Sequence, residues 1–540
     1  MRAGWGVVVL CWFLASCGQT TPDKSAGPWF EEVAAQAGLD FRHDPGLSGR
    51  YYLPEIMGAG GALFDYDNDG DLDIFLVQSK GPHQLFRNDT PPGGQLRFRN
   101  ESQALGGASG YGMGAAVSDV DGDGNLDLYV TQLGGNLLLR NLGNGIFLDI
   151  SQQSGTVDPR WSTSATFADY DRDGRPDLFV LNYVDFTPEN HVECRSASGA
   201  ADYCTPRAYR PVAASLYRNL GEGRFADKTV SAGMNAAKGP GLGVVALDAN
   251  DDGWLDFFVA NDSMANLLWV NNGKGGFREQ ALTAGLAYSE DGVAKAGMGV
   301  AIGDFDNDAD DDVLVANLTR EGATLFRRDG PLGYFDNSLV TRTRRLSFDY
   351  TGFGAGWADF DQDGWLELFV ANGAVTIQQD QAGSAYPFRQ KNLLLRNDLG
   401  KELKQAVYEG GAALDLEEVS RGALFGDLDQ DGDLDVVVTN NNGPVRLLRN
   451  VAPQAGAWLQ VQLEPEAALP ARVGVELPNG TTLWRRAHRD GSYLGSDDPA
   501  AHFGLGLNKE YRRIHVLWPD GQRSTYDGGP CNRRIKLSRK

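Results

Sequence analysis

The sequence predicts an all-β protein: a seven-bladed β-propeller followed by a small C-terminal β-domain. Three observations predict it. A nine-residue aspartate-rich segment occurs seven times. Each copy is flanked by short apolar runs, rich in β-branched and aromatic side chains and too short for helices. The charge is also divided. Of a formal net −23, the stretch from Ala452 onward carries +4, with 13 Lys/Arg against 9 Asp/Glu, which leaves −27 on the remainder. That asymmetry sets a domain boundary near residue 452. The acidic balance argues against nucleic acid or an anionic lipid surface as partner.

The first element is a targeting segment. "MRAGWGVVVLCWFLASC" places Arg2 before an apolar run that ends at Leu14. The run is too short to span a bilayer comfortably and has the layout of a secretory signal. "LASC" (14–17) looks like a bacterial lipobox, which implies a signal peptide over 1–16, cleavage before Cys17 and acylation of its thiol. Gly18 follows, which resembles outer-membrane sorting. The alternative is an ordinary secretory signal with a chance cysteine. Residues 17–28 are the tether. The expected location is extracytoplasmic, lipid-anchored at an outer membrane, with that lipid as the one membrane contact.

The propeller occupies 29–451. The aspartate segments are "DYDNDGDLD" (65–73), "DVDGDGNLD" (119–127), "DYDRDGRPD" (169–177), "DANDDGWLD" (248–256), "DFDNDADDD" (304–312), "DFDQDGWLE" (359–367) and "DLDQDGDLD" (427–435). Their start-to-start spacings of 54, 50, 79, 56, 55 and 68 describe a unit near 55 residues with two insertions. A small-residue strand such as "GMGAAVS" or "GLGVVAL" precedes each loop, and a β-rich run such as "IFLVQ" or "LYVTQ" follows. A third strand reads "QLFRN" or "LLLRN", and a fourth opens on an aromatic, as in "FLDIS". Four short strands per unit, seven times over, make a propeller. "WFEEVAAQAGL" (29–39) matches the fourth strand, which the last unit lacks. The N-terminal strand is therefore expected to complete the last blade and close the ring.

The loops carry the metal prediction. Side chains at positions 1, 3, 5 and 9 and the carbonyl at 7 can converge on one ion, and glycine at 6 permits the sharp turn. The expected ligands are Asp65, Asp67, Asp69, Asp71 and Asp73 in the first loop; Asp119, Asp121, Asp123 and Asp127 in the second; and Asp169, Asp171, Asp173 and Asp177 in the third. They continue with Asp248, Asn250, Asp252 and Asp256; Asp304, Asp306, Asp308 and Asp312; Asp359, Asp361, Asp363 and Glu367; and Asp427, Asp429, Asp431, Asp433 and Asp435. Hard oxygen donors suit Ca²⁺, whereas Zn²⁺ wants His or Cys. The loops are not EF-hands: the twelfth position holds Leu76, Val130 or Val180 rather than Glu. Up to seven Ca²⁺ ions would bring the formal charge from −23 to −9. Seven metal-free surface turns are the alternative. The fifth loop is the expected weak site, because Ala309 replaces glycine.

Cys194 and Cys204 share one loop-like stretch and are expected to pair in an oxidising compartment, with a transition-metal site including His191 as the alternative. Cys531 is left over. The tail, 452–540, alternates apolar and polar residues in "WLQVQL", "RVGVEL" and "IHVLW", which reads as a small β-sandwich or barrel. "HFGLG" is a strand and a tight turn, and His502 is expected to be structural. "WRRAHRD" (484–490) is read first as a solvated strand face, and second as a contact for the acidic propeller or a carboxylated ligand.

The repeated "DxDxDGxxD" units with "LFRN" segments resemble FG-GAP/VCBS repeats, which are similar to the integrin α-subunit propeller. "HFGLG", "WPDG" and the strands around them resemble the ASPIC/UnbV domain. The combination is similar to bacterial relatives of cartilage acidic protein, and the Cys194–Cys204 insertion looks like a feature of that family. Two places depart from the pattern. "EPEAALPARV" replaces a usual Asn-Arg and glycine-rich stretch, and Ala374 stands where a His commonly follows "NG".

The expected function is a calcium-binding extracytoplasmic lipoprotein, monomeric, acting as a binding or adhesion module for a protein or polysaccharide. The alternative is a secreted hydrolase or tailoring enzyme with its site at the propeller axis or the domain interface. No catalytic residue is assigned. The six histidines lie in neither a G-x-S-x-G nor an H-E-x-x-H context, and the paired carboxylates are already explained as ligands.

Overall fold

Each aspartate loop turns the chain between the first two strands of a four-stranded antiparallel sheet. In the first blade these strands are Gly61–Phe64 and Asp73–Leu76, followed by Gln84–Asn88 and Phe98–Asn100. The computed structural model describes residue 1 and residues 27–539, except 197, 331–332, 377–385, 408, 454–455 and 466–468. The signal segment and Cys17 lie outside the described residues. No helix among the described residues is long and apolar enough to cross a membrane.

Seven such sheets form the ring. Their innermost strands are Gly61–Phe64, Tyr111–Ser118, Ser162–Ala168, Gly241–Leu247, Val300–Gly303, Gly352–Ala358 and Ser420–Gly426, and each packs against the next in a closed cycle. The small residues of these strands let neighbouring backbones approach. A Cβ on Gly299 would sit 1.9 Å from the Phe353 carbonyl oxygen of the next blade. The apolar cores lie between blades: Phe258 and Leu268 of the fourth pack with Val313 and Phe326 of the fifth. The last sheet is completed by Phe30–Glu32, which pairs antiparallel with Arg446–Asn450. The ring closes through its N-terminal strand, as the repeat pattern predicts.

A second device joins the blades. The asparagine ending the third strand donates to a carbonyl in the preceding blade's aspartate loop. Asn88 Nδ2 reaches Leu428 O at 2.8 Å, Asn141 reaches Tyr66 O at 2.7 Å, and Asn219 reaches Val120 O at 2.9 Å. Asn271 reaches Tyr170 O at 2.9 Å, Asn397 reaches Phe305 O at 2.7 Å, and Asn450 reaches Phe360 O at 3.0 Å. The fifth blade has Arg328 at this place. Its buried guanidinium crosses to Asp251 of the fourth loop at 2.7 Å instead.

The tail forms two sheets around a core that includes Leu459, Val473, Ile514 and Trp518. One sheet orders Ala501–Gly506, Ala457–Glu464 and Arg533–Ser538. The other orders Thr482–Ala487, Ala471–Glu476, Glu510–Leu517 and Arg523–Pro530. The tail is not a separate appendage, however. Its segment from Asp490 to Ser496 enters the propeller axis and touches the inner strand of every blade. Gly495 and Ser496 pair in parallel with Gly61 and Ala62. Ala115 donates to Leu494 O at 3.2 Å, and the Leu494 N–H donates to Ser164 Oγ. Ala246 donates to Asp490 Oδ2 at 2.6 Å, Val300 and Ser492 exchange backbone hydrogen bonds, Phe353 meets the Tyr493 ring at 4.8 Å, and Ser492 Oγ donates to Ala423 O.

The opposite end of the axis is closed by Leu53–Ile56 and by the insertion that carries the Cys194–Cys204 disulfide, with Cα atoms 5.2 Å apart. That bond leaves neither thiol free for the alternative metal site with His191. The axis, one of the two places open to the enzyme alternative, is filled by the protein's own side chains; Tyr493 and Leu494 are fully buried there.

Asn141→Ala deletes a buried two-carbonyl donor and is expected to lower the unfolding free energy by about 2 kcal/mol. Chemical denaturation beside the exposed Asn235→Ala checks this; equal effects would show that the inter-blade bond carries no stability.

Candidate metal centres

All seven loops share one internal hydrogen-bond pattern. The carboxylate at position 1 accepts the N–H groups of positions 5 and 6: Asp65 from Asp69 and Gly70, and Asp427 from Asp431 and Gly432. The carboxylate at position 5 accepts the N–H of position 7, as Asp123 does from Asn125 at 2.9 Å. The carboxylate at position 9 starts the second strand and is buried. Asp127 there accepts the Val120 N–H at 2.9 Å and the Asn141 N–H at 2.8 Å, so it ties loop to third strand. Asp73, Asp256 and Asp435 repeat both bonds.

Position 3 is different. Oδ1 of Asp67, Asp171, Asp306, Asp361 and Asp429 is buried and accepts no hydrogen bond. An unpartnered carboxylate oxygen recurring at one loop position is what a cation ligand would be before its cation is counted. The convergence fits. One oxygen each from Asp65, Asp67 and Asp73 lie within 4.8 Å of one another, as do those of Asp119, Asp121 and Asp127, and of Asp169, Asp171 and Asp177. Asp359, Asp361 and Glu367 converge likewise, so the longer Glu arm reaches the site. In the fifth loop the converging set is Asp304, Asp306 and Asp308.

Part of the loop charge is neutralised by protein. Arg87 Nε lies 3.0 Å from Asp67 and its Nη2 lies 2.9 Å from Asp69. Arg140, Arg218, Arg327 and Arg449 bridge positions 3 and 5 of their own loops, and Arg396 reaches Asp361. In the fourth blade Val270 replaces this arginine, and position 3 is the uncharged Asn250. The charge that remains is costly. With protein atoms alone, burial first and neighbouring carboxylates second push Asp73 up to about 9, while burial pushes Asp127 to about 8, Asp177 to about 9 and Asp256 to about 8.

The tail covers three of the loops. Arg485 donates to Asn307 Oδ1 at 3.1 Å and to Gly364 O at 2.9 Å. Arg486 meets Asp311 at 3.0 Å, and Arg489 donates to Leu63 O. "WRRAHRD" is therefore a contact for the acidic propeller, not the solvated face expected first. His502 donates to Gly432 O at 2.8 Å, and burial lowers its pKa to about 4, which keeps it a neutral structural donor.

Residues 65–130, 119–180, 248–315 and 304–370 match the family of FG-GAP-like repeats, and residues 463–540 match the ASPIC and UnbV family. This chain carries FG-GAP-like repeats and a C-terminal ASPIC and UnbV domain. It is similar along most of its length to cartilage acidic protein 1. The Mus musculus protein is 24% identical over 514 residues, covering 87% of this chain and 71% of the relative. The Homo sapiens protein is 25% identical over 511 residues, with 87% and 70% covered. Among solved structures, YCF48 bound to D1 peptide is 10% identical with a TM-score of 0.43, covering 80% of this chain and 99% of that one. An Agrocybe aegerita lectin that recognises non-reducing terminal N-acetylglucosamine is 14% identical with a TM-score of 0.39, covering 70% and 92%. Similarity this distant bears on neither ligand nor activity.

Sequence reasoning missed three features of the FG-GAP repeats. The Arg and Asn of "LFRN" act as charge partner and inter-blade donor; their recurrence in five of the seven third strands was the available signal. Position 4 of the loop is also left-handed, with φ of 60° at Asn68, 61° at Arg172 and 58° at Gln362. Ala309 does adopt the left-handed conformation expected of position 6, at φ 75°. Ala309→Gly is accordingly expected to stabilise the protein by about 0.5–1 kcal/mol. Gly174→Ala, where a Cβ meets nothing within 4 Å, isolates the same backbone cost with opposite sign. Denaturation midpoints shifted the other way would remove the strain argument.

Proposed function

We propose that the FG-GAP loops bind Ca²⁺ and that the protein is a lipid-anchored, extracytoplasmic binding module whose ring presents a surface to a protein or glycan. The observation that carries the metal reading is the unpartnered, buried position-3 oxygen in five loops. All converging donors are carboxylate oxygens, the set that Ca²⁺ takes at high coordination number. Positions 1, 3, 5 and 9 would hold the ion with the carbonyl of position 7, and the ion would supply the positive charge that the strand arginines leave unmatched. The Cys194–Cys204 disulfide supports an oxidising compartment outside the cytoplasm. The filled axis, and histidines such as His43 and His83 whose pKa values burial lowers to about 3 and 4, favour binding over catalysis.

Calorimetry of the chelated protein titrated with Ca²⁺ tests the metal reading. Each loop held at a hundred times its dissociation constant adds about 2.7 kcal/mol, so the melting temperature rises steeply with Ca²⁺. A melting temperature indifferent to EDTA and Ca²⁺ overturns it. Cys17→Ala is expected to move the protein from the membrane pellet to the soluble extracytoplasmic fraction, and retention in the pellet would remove the lipid anchor.

A further inference from the structure

Five of the seven loops fall into two structural classes, with the fifth between them because Asp304 is buried and Asp306 partly open, and the fourth carrying the uncharged Asn250. In the first three, the carboxylates at positions 1 and 3 are partly open to solvent. In the sixth and seventh, Asp359, Asp361, Glu367, Asp427, Asp429 and Asp435 are all buried. The cover is the ASPIC and UnbV domain, which hydrogen-bonds the candidate ligands themselves. The Gly504 N–H donates to Asp359 Oδ2 at 3.1 Å, and Gln460 Nε2 donates to Asp427 Oδ2 at 2.9 Å.

The turns of these two loops are held as well. His502 reaches Gly432 O at 2.8 Å, and the Gly506 N–H reaches Gln362 O at 3.0 Å. The fit is close: a Cβ on Gly504 would lie 2.1 Å from Asp359 Oδ2, and one on Gly432 would lie 2.0 Å from Trp458 Cε2. In the same two loops, Oδ1 of Asp361 and of Asp429 is buried without a donor. Those residues are 8% and 1% exposed, so no solvent serves the two oxygens.

We infer that the loops at 359–367 and 427–435 are a cation-dependent latch, in which bound metal fixes the carboxylates and turn carbonyls that the ASPIC and UnbV domain docks onto. This rests on the reading of the loops as Ca²⁺ sites. Without a cation, the clustered carboxylates of each loop repel one another, and the acceptors for Gly504 and Gln460 lose their fixed places. With it, position-1 oxygens point at the tail. The domain that docks there also carries Asp490–Ser496 into the axis. Docking, axis filling and metal occupancy at these two loops are thus one coupled equilibrium, and the coupling is reciprocal. Loops one to three exchange metal freely; loops six and seven exchange it only when the tail lifts.

Hydrogen exchange across residues 489–506 of the full chain tests the latch, in Ca²⁺ and in EDTA, with bound calcium per chain measured on the same samples. The pair Asp361→Asn/Asp429→Asn is compared with Asp67→Asn/Asp171→Asn. In Ca²⁺, the first pair and the chelated wild type are expected to exchange faster over this segment by roughly 5- to 150-fold, while the second pair stays protected. Equal loss of protection in both pairs overturns the latch. Calcium bound to wild type with exchange over 489–506 unchanged by EDTA overturns the latch alone, whereas no calcium bound at all overturns the metal reading beneath it. Gln460→Leu leaves every loop residue intact and covers the case in which the double variant fails to fold. It is expected to weaken the slowly exchanging class of Ca²⁺ sites; unchanged affinity and release rate would overturn the coupling.

Discussion

The structure depends on how one buried carboxylate per blade is satisfied. The acid at position 9, Asp73 in the first blade and its six counterparts, begins the second strand in the interior of the sheet. In most blades it accepts one N–H from its own loop and another from the end of the third strand; Asp177 takes only the second, and its Oδ2 is buried without a donor. Those bonds set where the loop turns and where the third strand ends. The side chain at that strand end, asparagine in six blades, then reaches the preceding blade. A charge that is expensive to bury thereby organises loop, sheet and ring together.

The expense is divided among three kinds of partner. Backbone N–H groups serve positions 1, 5 and 9. The strand arginines serve the outer oxygens of positions 3 and 5. What is left over in five loops is Oδ1 of position 3, buried and without a donor; Asp71 Oδ1 and Asp177 Oδ2 are left in the same state. The fourth blade shows that the scheme is a balance. Where Asn250 removes the charge at position 3, the arginine is gone too, and Val270 packs in its place.

The tail belongs to the same electrostatic arrangement. Three of its arginines lie on the loop face, where Arg472 and Arg486 meet Asp311 and Arg485 meets the Gly364 carbonyl. Its Asp490–Ser496 segment fills the centre of the ring, where the inner strands leave a column of backbone donors and acceptors. A ring of small-residue strands would otherwise hold a water-filled channel; here Tyr493 and Leu494 complete its core.

The sequence by itself determined the repeat, the number of loops, the strand-turn-strand units and the ring closure by residues 29–39; of the positions 1, 3, 5 and 9 it expected to converge, 1, 3 and 9 do so in four loops and 1, 3 and 5 in the fifth. These are local properties, written within nine residues or within one repeated unit, and repetition makes them legible. The roles of Arg87 and Asn88 were visible only as a recurring "RN", because their partners lie in another loop; Asn88 bonds a carbonyl 340 residues away. Only the tertiary structure decided that Ser492, Tyr493 and Leu494 fill the axis, that "WRRAHRD" faces acid rather than solvent, and that two of seven near-identical loops are sealed. Those facts depend on where a closed ring brings distant residues and on how a second domain lies across it, and no local pattern of charge or hydrophobicity encodes either.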